Sequence, residues 1–119
     1  MTSVLNVDSI AAKNGTSAVT LTKQEAAKAR FVSDSNMTFY GSFNIASGTD
    51  NGEGNYTYAF TNSMANALYC GPSSVQSSGD KFGTIHTLAT ANFIVNVFNA
   101  DQGVKNDGSP HQVIFGDLA

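Results

Sequence analysis

At 119 residues, 13% of them charged and with a net charge of −3, the chain is sized for one domain, or a small domain with an arm. Its six Lys and Arg, scattered from Lys13 to Lys105, cannot build a phosphate-neutralising patch, which argues against nucleic acid as a partner. The single cysteine, Cys70, excludes an intrachain disulfide, and no apolar run approaches the ~20 residues of a membrane span.

Ser, Thr, Asn and Gly supply about two-fifths of the chain, a composition that suits short strands and many turns. Met1-Thr2-Ser3-Val4 has neither a basic nor an apolar leader signal, so no secretory leader is expected and synthesis is expected in a cytoplasm. Residues 3–10 read as a strand with Leu5 and Val7 on one face. Asn14-Gly15 is a turn signal, and Ala18-Val19-Thr20-Leu21 returns as a second strand. Leu5, Val7, Ile10, Val19 and Leu21 have nothing in this hairpin to cover them, and an isolated two-stranded unit is marginal in water. The expectation is an N-terminal β arm over 1–21 whose apolar face is covered by copies of itself.

Thr22-Lys23-Gln24-Glu25 has the form of a capping box, and good helix formers follow from Ala26 to Arg30. This predicts a short linker helix over 22–31. From there on the pattern is β. Strands are predicted at Phe31–Ser33, Thr38–Ala46, Asn55–Phe60, Leu68–Val75, Lys81–Thr87, Asn92–Asn99 and Gln112–Leu118. Asp50-Asn51-Gly52-Glu53-Gly54 is a run of turn formers between two of them. In Asn55–Phe60 the aromatics Tyr56, Tyr58 and Phe60 point one way, toward a core. Short strands at even spacing predict an all-β fold over 32–119, an antiparallel β-sandwich of jelly-roll-like type.

In Asn92–Asn99 one face, Phe93, Val95 and Val97, is wholly apolar, and the other carries Ile94 and Phe98. A monomeric sandwich wets its outer face. Ile94 and Phe98 are therefore expected at an oligomer interface together with the arm. Ala100–Pro110 reads as a long loop, dense in hydrogen-bonding side chains: Asp101, Gln102, Lys105, Asn106 and Asp107. Long loops on a rigid β scaffold either carry recognition or are slack.

Catalytic signals are weak. His86 and His111 are the only histidines, and a metal site would need two further ligands. Cys70 has no local motif for nucleophilic chemistry and reads as a small core residue beside Gly71-Pro72. Asp50 and Glu53 flank a turn but fall short of a calcium-loop pattern. Asn14, Asn36 and Asn55 begin Asn-x-Ser/Thr triplets that are given no role here. No phosphate loop and no paired carboxylates for acid–base work are present. The expectation is a protein that is not an enzyme and takes no cofactor or metal.

The run FNIASGTDNGEGNYTYAF from Phe43, followed by Thr61, Met64, Ala67 and Tyr69, resembles a β-domain of bacteriophage tail fibres from marine and freshwater phages. Ala26–Val32 resembles that family's lead-in, except that a Trp usually stands where this chain has Arg30 or Phe31. Leu5–Ile10, Asn14-Gly15-Thr16 and Ala18–Leu21 resemble the N-terminal repeat of such fibres. The resemblance implies a structural virion protein, located on the tail. It would be a homotrimer whose arm is fixed to a tail or baseplate protein and whose C-terminal domain meets a host-surface glycan or protein. The 101–107 residues of the long loop are then the expected receptor-facing contacts. Two alternatives stay open: a head fibre or capsid decoration protein, and a non-catalytic carbohydrate-binding module that exposes Tyr40 or Tyr69.

Overall fold

The computed structural model describes residues 26–77 and 79–119. Within them the chain forms eight strands and no helix. They are β1 (Ala29–Ser33), β2 (Phe39–Phe43), β3 (Ile45–Asp50), β4 (Asn55–Phe60), β5 (Ser73–Gln76), β6 (Lys81–His86), β7 (Asn92–Asn99) and β8 (Ser109–Ile114). Two four-stranded sheets result, ordered β2-β1-β8-β5 and β3-β4-β7-β6. Every pairing is antiparallel. The antiparallel β-sandwich expected from the sequence is the fold.

Alternation builds the core. β4 buries Tyr56, Tyr58 and Phe60, β7 buries Phe93, Val95 and Val97, and β1 buries Ala29 and Phe31. The sheets meet where the Phe31 ring of β1 stacks on Tyr58 of β4 at 3.9 Å between centroids. Phe93 lies 5.6 Å from Tyr58 and 5.2 Å from Phe60, so a chain of aromatic rings runs through the interior. Such pairs add about 0.5–1.5 kcal/mol each beyond the area they bury.

The structure corrects several boundaries. The stretch Thr38–Ala46 is two strands in different sheets, separated at Asn44, which takes a positive φ of 56°. Its side chain fixes the crossing. Asn44 Nδ2 donates to the carbonyls of Lys28 and Asn62, and Oδ1 accepts from the Asn62 N–H at 2.7 Å. Leu68–Val75 is a regular strand only from Ser73; upstream of it Cys70 makes a single antiparallel bridge to Phe115, with Tyr69 buried and Leu68 and Cys70 exposed. The last strand begins at Ser109 rather than Gln112 and stops at Ile114.

No helix is present at Ala26–Phe31 either. Ala29, Arg30 and Phe31 pair with β8, and the Lys28 N–H donates to the Ile114 carbonyl at 2.7 Å. Burial of Phe31 and the strand ladder outweigh local helix propensity, which is worth only tenths of a kcal/mol per residue. The arm residues Leu5, Val7, Ile10, Val19 and Leu21, and the capping box Thr22–Glu25, lie outside the described residues.

The register gives the sandwich two ends. β1 starts at the proximal end, beside Ile114 and Asn44, and the segments 61–72, 87–91 and 115–119 lie there too. Four turns gather at the distal end: 34–38, 51–54, the one that contains Gly79 and Asp80, and 100–108.

Candidate functional site

The distal end is built around the loop from Ala100 to Gly108, and its two halves differ. In the first half a compact turn projects from β7. The Asn99 N–H donates to the Val104 carbonyl and the Gly103 N–H returns to the Asn99 carbonyl, each at 2.9 Å. The Ala100 N–H reaches the Asp80 carbonyl at 2.8 Å, which ties the turn to the neighbouring one. Asp101, Gln102, Val104 and Lys105 are exposed on it.

The second half is anchored. The Asn106 N–H donates to the Val97 carbonyl at 3.0 Å, and Asn106 Nδ2 reaches Glu53 Oε1 at 3.5 Å. Asp107 Oδ1 accepts from the Gly54 N–H at 2.9 Å and from the Tyr56 hydroxyl at 3.0 Å. The Lys81 ammonium donates to the Asp107 carbonyl. Gly108 is buried against Val75 and Val97. The loop is therefore not slack. Of the five residues expected to face a receptor, Asp101, Gln102 and Lys105 present free surface, whereas Asn106 and Asp107 also hold the loop to the β3–β4 hairpin.

That hairpin departs from a simple Asn-Gly turn. Gly52 and Gly54, not Asn51, carry positive φ, at 119° and 62°. Asp50 Oδ1 accepts the Gly52 N–H at 2.9 Å, so the carboxylate closes the turn. Two residues before the distal turn at 34–38 finishes, Asn36 N–H donates to Asp34 Oδ1, and Thr38 N–H does the same at 2.8 Å. The Thr38 N–H, chief among these donors, holds the Asp34 carboxyl below the usual carboxylate range.

Ile94 and Phe98 are half-buried on the outer face of the β3-β4-β7-β6 sheet, opposite the buried row of β7. Phe82 of β6 pairs with Phe98 and the rings stack at 5.3 Å. Phe82 is 45% exposed, so the apolar stripe reaches further than β7 alone suggests. Between Ile94 and Phe98, Asn96 is 7% exposed and its Oδ1 has no hydrogen-bond partner among the described residues. Phe82 is not legible as part of this stripe from the residue pattern of β6, because its place there is set by the register of β6 with β7.

The candidate catalytic residues do not converge. His86 is exposed on β6 and His111 sits in β8, a strand rather than a loop, so the two histidines belong to different sheets. Cys70 is exposed rather than a core residue. Among the described residues no three of His, Cys, Asp and Glu gather as a metal site. Of the two tyrosines considered for a flat binding face, Tyr40 is exposed, but Tyr69 is buried and its hydroxyl donates to the Ala89 carbonyl at 2.8 Å. Comparison of the chain with protein-family models, with curated proteins and with solved structures finds no match.

Proposed function

We propose that the protein is a structural virion component, a short phage tail fibre in which the N-terminal arm attaches and the β-sandwich meets the host surface. The reading starts from the resemblance of Phe43–Tyr69 to phage fibre domains. The observation that carries it is the polarity of the sandwich. The chain comes in at Ala29 at one end, and the turn bearing Asp101, Gln102 and Lys105 projects from the other. An arm fixed on the particle then directs that turn outward. The outer stripe of Ile94, Phe98 and Phe82 supports a trimer, since covering apolar side chains contributes roughly 1.5–3 kcal/mol for each one fully buried.

A carbohydrate-binding module is the second reading, favoured by the exposed Tyr40 and by the stacked Phe82 and Phe98. Mass in solution separates the two. Light scattering should give a trimer for the fibre, and a stable monomer at micromolar concentration contradicts it. Antibody labelling of virions then distinguishes the tail from the head.

A further inference from the structure

Asn51-Gly52 sits at the tip of the β3–β4 hairpin with both residues exposed. Among residues 26–119 it is the one place where glycine follows asparagine. Asn14-Gly15, the other such pair of the chain, lies outside the described residues. Asparagine is thermolabile because the backbone nitrogen that follows it can attack its side-chain amide carbon. A side chain on the following residue obstructs that approach, and glycine has none. A Cβ built at Gly52 would meet nothing within 4 Å among the described residues, so water reaches the turn freely. The reacting atoms belong to adjacent residues, so no third group has to be brought in by the fold.

Two hydrogen bonds restrain the pair. Asn51 Nδ2 donates to Thr57 Oγ1 at 2.7 Å, and the Gly52 N–H donates to Asp50 Oδ1 at 2.9 Å. The first holds the amide against β4, and the second occupies the nitrogen that has to attack. Both must open before a ring can close. Opening the Thr57 contact alone slows the reaction by about two- to tenfold, the net strength of an ordinary hydrogen bond.

We propose that Asn51 is a site of spontaneous deamidation, which the fold slows and does not prevent. The Gly52 nitrogen gives its proton to a solvent base and bonds to Asn51 Cγ. The Cγ–Nδ2 bond breaks, and the amide nitrogen takes a proton from solvent and leaves as ammonia. Water then opens the imide at either of its carbonyls, which yields aspartate or isoaspartate at position 51. Nothing is oxidised or reduced. Either product places a further negative charge between Asp50 and Glu53 in the chain, and isoaspartate also moves a methylene into the backbone of the turn. That turn is tied to its neighbour, because Asn106 Nδ2 reaches Glu53 Oε1 and Asp107 Oδ1 holds the Gly54 N–H. The change at position 51 therefore reaches the loop that carries Asp101, Gln102 and Lys105, whatever that loop binds.

The test is peptide mapping of the folded full chain by mass spectrometry, with samples taken over weeks at physiological temperature in neutral and in mildly alkaline buffer. An isoaspartyl methyltransferase counts the isoaspartate. Asn51 should convert to both acids, faster in the alkaline buffer, while Asn55 and Asn99, which precede Tyr56 and Ala100, remain amides. Thr57→Val keeps the shape of the side chain and removes the acceptor, so it should raise the Asn51 rate by about two- to tenfold with the circular dichroism spectrum kept. Wild-type chain in urea carries the same comparison if that variant does not fold, since unfolding opens both bonds and must speed conversion. In the aged chain the amide NMR signals of Gly54 and Asp107 should shift as isoaspartate grows. An intact Asn51 amide at the end of the alkaline series overturns the proposal, as does conversion of Asn55 or Asn99 at an equal rate. An unchanged rate in folded Thr57→Val, or in urea, overturns the restraint, and unshifted Gly54 and Asp107 signals overturn the link to the loop.

Discussion

The Tyr56 hydroxyl donates to Asp107 Oδ1 at 3.0 Å across 51 residues of sequence, and the same oxygen takes the Gly54 N–H. One carboxylate thus joins the β3–β4 turn to the distal loop. Asp107→Ala leaves two donors without their acceptor and should cost about 1–3 kcal/mol. Tyr56→Phe removes only the hydroxyl and should cost about 1 kcal/mol. For a domain of this size, 1 kcal/mol is roughly 4–8 °C in Tm. Because the two groups bond each other, the double variant should lose less than the sum of the singles. Strict additivity in thermal melts counts against the contact.

Gly54 tests the close approach behind that contact. A Cβ there would lie 2.5 Å from the Val97 carbonyl oxygen and 2.7 Å from the Asn106 nitrogen, and the residue has φ +62°. Gly54→Ala therefore adds a backbone clash to left-handed strain, a loss of about 2 kcal/mol or more. A Cβ at Gly79 meets nothing within 4 Å among the described residues. Gly79→Ala should stay within about 0.5 kcal/mol of the parent. Equal melting temperatures for the two variants contradict this packing.

The pH dependence has a sign at each limb. Burial, the leading cause in each, raises the Tyr56, Tyr58 and Tyr69 hydroxyls above the ordinary 10.0. Their folded values exceed the unfolded one, so the stability they give is complete below pH 10.0 and is lost as pH rises through the folded values. Asp34 is the reverse. The backbone N–H of Thr38 holds its carboxyl below the ordinary 3.8, so its contribution is present above that value and fades as pH falls through the lower folded one. Tyr58→Phe should make the alkaline fall of Tm shallower, and an unaltered alkaline limb refutes the assignment.

Period-two alternation made much of the fold legible. Asn55–Phe60 and Asn92–Asn99 have the predicted limits because burial on one face writes itself directly into the residue pattern. Asn44 was illegible for the opposite reason. Its neighbours Phe43 and Ile45 continue the alternation, while the crossing depends on partners at Lys28 and Asn62 that only folding brings near. Asn44→Ala loses both the side-chain bonds and the tolerance of positive φ, whereas Asn44→Gly loses only the bonds. Thermal melts should rank wild type above Asn44→Gly and Asn44→Gly above Asn44→Ala. The reverse order of the two variants removes backbone strain from the account.

Recognition at the distal turn is open to a clean test because the two halves of the loop are separable. Asp101, Gln102 and Lys105 are exposed, and the turn beneath them is held by backbone bonds among Asn99, Gly103 and Val104. Truncating those three side chains to alanine keeps that backbone, so stability should shift by no more than about 0.5 kcal/mol per site. Replacing Asn106 and Asp107 as well would release the hairpin and confuse unfolding with loss of contact. If the turn meets a hydroxyl-rich glycan, the triple variant should lose binding to host cells while its solution mass stays the same. If the chain is the proposed trimer, three weak sites engaged together gain ~10²–10⁴ by avidity, and a modest loss per site should then appear as a large loss for the assembly. Unchanged cell binding by a folded, trimeric variant removes the turn as the contact.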